Sequence, residues 1–544
     1  MSTTSFWSET LVFFFRSLFR YLTGKTKFLQ GCFTNIQYPS QSKYQRYSSL
    51  SQRTDLSDKT VIFDMEGSLL KYHSMFSYFM LVAFEAGGLL RALLLFICYP
   101  LIILLGGELS RKILVMITFF GIKKKKLRVG KSVLPKFFSE DVGWEAFELL
   151  TRAGTTVAVT DFPQVMVESF LKEYLQVDYV VGRELKQFGG YFTGGMEERS
   201  ISIRILEDAL DPDKTKSIDA AIGVTPFKKC LHPLFRHCKE IYIVKGRDKR
   251  SWQQLPGDRY PKKVIFHDGR LAVRPTMLNS LALSMWLPLG IVLCLCRAII
   301  TLTLPLDLAC PLLASTGITC TLARSSTDPI NDDGAGFEGP SNEHAKGHLY
   351  VCNHRTLLDP LFISFALKKR MAAVTYSLSM ISEIFSPIKT VRLRRDRDED
   401  RRIMDNILKQ GDLVVCPEGT TCRERFLLRF SPLFAEVGDQ ITPVALDSHL
   451  EMFHGTTAGG LKCFDPFLFL MNPRPSYTIR LLERVAGLST CRIDVEKLKK
   501  DVANRVQLQI ADALGFECTS LTRRDKYMIL AGHEGFVDDK TKLY

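Results

Sequence analysis

No Cys-x-x-Cys frame recurs among the fourteen cysteines, which sets aside a zinc module and a disulfide scaffold and favours a reducing compartment. No internal repeat is evident, so a stacked-repeat array is not expected. Basic residues do not interleave with aromatics along any groove-forming stretch, so the net charge of +14 does not read as nucleic-acid binding. It favours lipid headgroups and phosphorylated substrates instead. The N-terminus lacks the small-residue cleavage pattern of a secretory signal. Acids are nearly missing there: the first 54 residues hold seven basic residues and only Glu9. Residues 1–58 therefore read as a basic N-terminal segment, with Leu11 to Leu22 as an interfacial helix or part of a mitochondrial-type targeting sequence.

What the chain does have is length and apolar content. Its 544 residues suggest two to four domains, and 46% apolar with 24% charged residues excludes a wholly disordered chain. Leu278 to Cys296 is 19 residues without a charge, closed by Arg297. Crossing the hydrocarbon core takes about 20 residues, so this reads as a membrane helix. A further apolar run to Ala323, broken by Asp307, Pro305 and Pro311, reads as a second span or a re-entrant piece. A buried helix pair is the alternative. Ala92 to Gly107 is short for a span. With its apolar flanks it predicts a shallow hairpin, anchored to anionic lipid by Lys123 to Lys126.

The runs Thr60–Phe63, Thr155–Thr160, Glu240–Lys245 and Lys263–Phe266 are β-prone, and helical patterns lie between them at Trp144–Arg152 and Val165–Leu175. Strands alternating with helices predict a parallel α/β sheet with its functional groups at the carboxyl ends of strands. Ser325–Gly347 is a polar, Gly-rich loop. A second α/β pattern follows, with strands His348–Cys352, Asp412–Cys416, Gln440–Ala445 and Tyr477–Leu482, and helices Pro360–Lys368 and Asp400–Lys409. The expected division is 1–58, an α/β domain over 59–275 with an apolar membrane-associated insertion near 76–121, membrane helices over 276–323, and a second α/β domain over 324–544.

In the second half, a strand runs into Asn353-His354-Arg355-Thr356-Leu357-Leu358-Asp359-Pro360. A hydroxyl becomes a nucleophile when a neutral imidazole takes its proton, and a carboxylate on the other ring nitrogen fixes the tautomer. Five residues on a regular helix end about 140° apart, so His354 and Asp359 can meet only at a strand–helix junction, where the sequence places them. A second His-x4-Asp, His533 with Asp538, lacks that context and reads as coincidence. Lys389 to Arg397 is a basic cluster whose arginine forks suit phosphate, while Arg401 and Arg402 read as a solvated, salt-bridged surface. Cys416-Pro417-Glu418-Gly419-Thr420-Thr421-Cys422-Arg423 follows a strand. Its Gly419 permits close backbone approach and its Arg423 offers an anion contact, though an ordinary turn would read the same. Ile441-Thr442-Pro443-Val444 is a strand with an internal proline, which suits an edge or bulge beside a site.

In that order, NHRTLLDP, VRLRRDR, PEGTTCR and ITPVA resemble the four blocks of the glycerolipid acyltransferase superfamily, and the flanking text is similar to the land-plant glycerol-3-phosphate acyltransferase family. The resemblance implies acyl transfer from acyl-CoA to a hydroxyl of glycerol 3-phosphate at a membrane. It implies His354 as general base and Asp359 as its orienter. Arg394, Arg395 and Arg423 would hold the phosphate, and Glu418, Gly419, Thr420 and Pro443 would shape the substrate pocket. Lysophosphatidic acid as acceptor is the competing reading.

Phe63-Asp64-Met65-Glu66-Gly67-Ser68 resembles the DxDGT motif of haloacid-dehalogenase (HAD) phosphatases, with Thr160 matching the second motif. The second acid is Glu66, one methylene longer. The late Mg²⁺-binding block, of GDxxxD type, should fall at Gly223 to Pro233, where its acids are missing and lysines stand instead. The resemblance thus implies a HAD-like Rossmannoid domain without phosphatase activity. No cofactor or metal is expected, with Mg²⁺ needed only if that domain were active and the product a monoacylglycerol. The endoplasmic reticulum is the expected membrane, a mitochondrial membrane the alternative.

Overall fold

The computed structural model describes residues 43–50, 52–72, 74–197, 221–230, 232–236, 238–324, 347–376, 386–460, 462–488 and 495–534. The expected interfacial helix at Leu11 to Leu22, most of the polar loop and Asp538 lie outside the described residues.

Strands β1 (Tyr44–Arg46), β2 (Thr60–Asp64), β3 (Thr155–Pro163), β4 (Tyr179–Arg183), β5 (Ile222–Thr225) and β6 (Glu240–Ile243) form a sheet in the order β1-β6-β5-β2-β3-β4. Every pairing is parallel. β2 is buried at all five positions, as a parallel strand covered on both faces must be. The sheet begins inside the segment expected to be a separate N-terminal stretch, because β1 pairs with β6. The chain leaves β2 towards β3 and β4 on one side and returns through β5 and β6 on the other. That reversal opens a crevice at the carboxyl ends of β2 and β5.

The apolar insertion is three helices instead of a hairpin: α1 (Met75–Gly87), α2 (Leu89–Leu105) and α3 (Gly107–Phe119). Gly88 and Gly106, at φ +85° and +62°, make the turns. α1 buries Phe76, Phe79 and Leu81, whereas α2 exposes Leu90, Ile97 and Leu101. Lys263–Phe266 is not a strand. It is an extended connection whose Phe266 packs with Cys422, Leu428 and Tyr527, so its apolar residues serve the junction between the two halves.

α4 (Met277–Thr303) is the one described helix long and apolar enough to cross a membrane. One face is fastened to the C-terminal half. Trp286 Nε1 donates to Met471 O at 2.8 Å, and the buried Arg297 donates to the carbonyls of Leu470, Asn472 and Thr316, each at 2.6 Å. The other face exposes Leu278, Met285, Leu289, Val292 and Ile299. The run expected to be a second span or a re-entrant piece is too short to span: it forms a short helix, α5 (Leu306–Ser315), followed by β7 (Thr319–Arg324). β7 takes its hydrogen bonds at the edge of the second sheet, so the expected boundary at 323 cuts a strand of that domain.

With β8 (Leu349–Cys352), β9 (Met371–Thr375), β10 (Lys389–Arg392), β11 (Asp412–Val415), β12 (Gln440–His449) and β13 (Ser476–Leu481), β7 forms a sheet in the order β10-β9-β11-β8-β12-β13-β7. Only β12 and β13 run antiparallel along this path. Around the sheet lie α6 (Asp359–Leu367), α7 (Arg397–Leu408), α8 (Asp465–Leu470), α9 (Val495–Leu514) and α10 (Arg523–Leu530). Pro443 is in a central strand, not at an edge. On one side β12 pairs with Val485–Ala486 through Ile441 and with β13 from Val444 onward. A residue without an N–H falls in the gap between those two ladders.

Candidate active site

β8 is fully buried and ends at Cys352. Asn353 then clamps the strand end to β12. Its Nδ2 donates to Leu446 O at 2.9 Å, and Leu446 N donates to its Oδ1 at 2.8 Å. The chain turns through His354 and starts α6 at Asp359, followed by Pro360, a residue suited to a first helical turn. This junction brings His354 Nδ1 to 2.9 Å from Asp359 Oδ2. Asp359 is wholly buried and accepts from Arg355 N at 2.6 Å, from Thr356 N at 2.9 Å and from Tyr477 OH at 2.9 Å. A carboxylate held by so many donors can only accept from the imidazole. Nδ1 therefore carries the proton and Nε2 is left to take one from a substrate.

The Glu418 loop braces this turn from below. Glu418 Oε1 accepts from His354 N at 2.7 Å and Oε2 from Leu428 N at 2.9 Å, and burial pushes its carboxyl up to about 7. Cys422 N donates to His354 O at 2.8 Å, while Arg355 Nη1 donates to the Cys422 and Glu424 carbonyls at 2.9 and 2.8 Å. Cys416 Sγ lies 3.4 Å from Cys352 Sγ. Its hydrogen bond with Cys352, and then the neighbouring His354, lower the Cys416 thiol against the effect of burial. Burial by itself would lower His354. Cys416 and Asp359 outweigh it and hold the imidazole well above its ordinary value.

His354 faces a cavity of about 1160 Å³, at or above the ~300–1,000 Å³ of most small-molecule sites. Part of its lining is apolar: Leu302, with Leu313, Ile318, Leu361, Phe362 and Phe365, the last five of which belong to one core cluster. Another part is polar. Of the residues expected to bind substrate, Arg395, Glu418, Gly419 and Thr420 line it. Gly419 and Arg395 hold φ of +64° and +68°, a conformation that costs a non-glycine residue like Arg395 on the order of 1–3 kcal/mol. Arg394 is not in the lining: it is exposed and pairs with Glu399 at 2.7 Å. Neither is Arg423. It turns into the junction between the two halves, with Nε on Thr456 Oγ1 at 3.0 Å and Nη2 3.8 Å from Asp268. Pro443 sits within β12, away from the lining. His533 stacks on Tyr527. Arg401 meets Glu436 at 3.6 Å, the surface pairing expected of it.

At the crevice of the first sheet, Lys229 Nζ lies 2.6 Å from Asp64, 2.9 Å from Glu66 and 2.8 Å from Asp161. Glu66 also accepts from the Thr160 hydroxyl and from Asp161 N at 2.9 Å. Gly67 is required here, since a Cβ would stand 2.3 Å from Asp64 Oδ2. Thr225 and Lys229, four apart at the end of β5, stand where a GDxxxD block would place its two acids. Burial, then Glu66, raises the Asp64 carboxyl, with Lys229 opposing. The ammonium takes up the carboxylates that a divalent cation would need, so these residues do not fit Mg²⁺. Among the described residues no group of three or more His, Cys, Asp or Glu could hold a metal.

Sequence reasoning missed Tyr477, Asn353 and Cys416 at the histidine, and Lys462, Arg523 and Lys526 around the cavity. Asn353 stands inside the NHRTLLDP block and Cys416 directly before PEGTTCR, so position in the sequence marks both. Tyr477 is 118 residues from Asp359 and no local pattern marks it.

Residues 60–244 match the family described as "Glycerol-3-phosphate acyltransferase RAM2-like, HAD-like domain", and residues 336–447 match the family described as "Acyltransferase". The chain is 54% identical to "Probable glycerol-3-phosphate acyltransferase 2" of Arabidopsis thaliana, over 92% of this chain and 94% of that one. It is 52% identical to "Probable glycerol-3-phosphate acyltransferase 3" of Arabidopsis thaliana, over 92% and 95%. It is 41% identical to "Glycerol-3-phosphate acyltransferase RAM2" of Petunia hybrida, over 88% and 98%. The chain belongs to the plant glycerol-3-phosphate acyltransferase family, with an N-terminal HAD-like domain and a C-terminal acyltransferase domain.

Proposed function

Proceeding from that membership, we propose that the chain transfers a fatty acyl group from acyl-CoA to a hydroxyl of glycerol 3-phosphate, giving lysophosphatidic acid. The observation that carries the reading is the His354–Asp359 pair, joined at 2.9 Å and facing a cavity lined by both apolar and basic side chains. Nε2 of His354 takes the hydroxyl proton as the oxygen attacks the thioester carbon. The tetrahedral intermediate expels the CoA thiolate, which recovers the proton from the imidazolium held by Asp359. No covalent acyl-enzyme is required. The acyl chain lies along Leu302, Leu313, Leu361 and Phe362, next to the membrane-type helix α4. The exposed stripes of α4 and α2 seat the enzyme in the endoplasmic reticulum membrane, where long-chain acyl-CoA partitions.

The HAD-like domain keeps its fold without phosphatase activity, because Lys229 occupies its carboxylates. The test is product analysis with purified protein. Wild type acylates glycerol 3-phosphate and the product retains its phosphate, whereas His354→Ala loses ~10²-fold or more in rate. Phosphate release from lysophosphatidic acid with Mg²⁺, abolished by Asp64→Asn, would overturn the inactive-domain reading. Preference for lysophosphatidic acid in an acceptor competition would overturn the acceptor assignment.

A further inference from the structure

Seven cationic side chains line the cavity against four acids. The acids are already engaged. Glu418 accepts from His354 N and Leu428 N, Asp400 from Arg394 N and Arg395 N, Asp465 from Thr457 N, and Glu534 pairs with Arg524. Part of the positive excess comes from the C-terminal segment, outside every motif that points to acyl transfer. α10 lays the stem of Arg523 against the Glu418–Gly419 turn, so that a Cβ on Gly419 would stand 3.9 Å from Arg523 Cδ. Tyr527, one turn further along α10, fixes two of the cations. Lys462 Nζ donates to its hydroxyl at 2.5 Å and stands 4.6 Å from its ring centre, and the Arg523 guanidinium stands 5.0 Å from that centre. Burial works to raise the Tyr527 phenol, yet Lys462, Lys526 and Arg523 together pull it below its ordinary value. Burial and then the like charge of Arg395 disfavour the Arg523 cation, which places the two guanidinium groups in one field. An anion arriving between them would relieve that repulsion, and arginine forks suit phosphate oxygens. Arg423, one of the arginines expected to hold that phosphate, lies largely buried outside the lining and is turned towards Asp268.

We propose that Arg523 and Lys462, with Arg395, form the subsite for the phosphate of the acyl acceptor, making the C-terminal helix α10 a wall of the active site. The inference deepens the acyl-transfer reading and rests on it. The rival source of the same chemistry is the 3′-phosphate of CoA. Arg523 and Lys462 are only half-buried, so their neutral variants are compatible with folding.

Full-length protein in detergent is assayed with glycerol 3-phosphate and palmitoyl-CoA. In Arg523→Gln and Lys462→Gln, the KM for glycerol 3-phosphate rises ten- to hundredfold, the scale of one charge-assisted hydrogen bond, while the KM for palmitoyl-CoA stays within twofold. Arg523→Lys recovers part of the loss, and the exposed Arg402→Gln behaves as wild type. A rise confined to palmitoyl-CoA, or no rise for either substrate, overturns the assignment. Calorimetric titration with glycerol 3-phosphate separates this inference from the functional one. If wild type binds it without acylating it and Arg523→Gln does not bind it, the subsite stands while the transfer reading fails. Equal binding by both proteins overturns the subsite.

Discussion

Replacing Asp359 separates catalysis from folding, because the two possible neutral variants leave different hydrogen bonds behind. In Asp359→Asn, the amide oxygen can take the position of Oδ2. There it accepts from His354 Nδ1, Arg355 N and Thr356 N, at 2.9, 2.6 and 3.0 Å in the native structure. The amide nitrogen then faces the Thr356 and Tyr477 hydroxyls, which can rotate to accept. It also meets Thr356 N, 2.9 Å from Oδ1, a donor–donor contact that leaves Thr356 N only its bond to the amide oxygen. Most of the network survives and the tautomer is kept, so the expected loss of stability is about 2 kcal/mol. What disappears is the charge that steadies the imidazolium. At an effective dielectric of about 20 and a separation of roughly 4 Å, that interaction amounts to ~4 kcal/mol, or about three orders of magnitude in rate. Asp359→Ala loses the same catalysis. It also strands two buried backbone donors, Arg355 N and Thr356 N, at about 1–3 kcal/mol each. The measurements are acyl-transfer rate and thermal unfolding of both variants in one detergent. Asn retaining activity within tenfold of wild type would refute the role of the charge. Ala unfolding at the same temperature as Asn would refute the reading of the hydrogen bonds.

Two further outcomes follow from the same structure. Catalysis needs neutral His354, whose raised value in the fold means that activity rises with pH through an inflection above the ordinary 6.5. Removing either partner that holds it up, as in Cys416→Ser, moves the inflection of kcat/KM to lower pH; an unmoved profile would detach Cys416 from the titration. Lys229→Met removes the ion pair of Asp64 and Glu66, while Asp161 keeps Arg111 at 3.5 Å, and costs about 2–3 kcal/mol in stability, less than a fully buried ion because Lys229 is still 27% exposed. Chemical denaturation reads that loss, and wild-type stability in the variant would show that the three contacts contribute nothing.

Much of the fold was legible because its signals are local. Apolar runs ending in polar residues marked β2, β3, β8 and β11, and the charge-free run marked α4. Errors came where neighbours decide. Thr319–Arg324 is apolar enough to continue a membrane segment, but β13 offers it a ladder, and a strand at a sheet edge results. Pro443 read as an edge or bulge residue because its exclusion from ladders is the general rule; it lies in a central strand, at the point where β12 changes partner. Lys263–Phe266 has a strand's composition, but it spends its apolar surface on the junction between the halves.

The sequence by itself determined the His354–Asp359 pair and its setting. His354 and Asp359 are five residues apart, and a strand, a turn and a helix start suffice to join them. It also determined that the phosphatase motif had lost its late acids. Only the tertiary structure decided which cations line the cavity. Arg423 and Arg394 carry the right side chains in the right motifs, but one is turned into the junction between the halves and the other into water. Arg523 and Lys462 stand outside the four blocks and converge on Tyr527 in the cavity lining. Lys229 meets Asp64 across 165 residues because β5 lies beside β2 in the sheet. Chemistry between near neighbours in the chain is set by local geometry. The charge around a cavity is set by sheet order and burial, which a linear pattern does not carry.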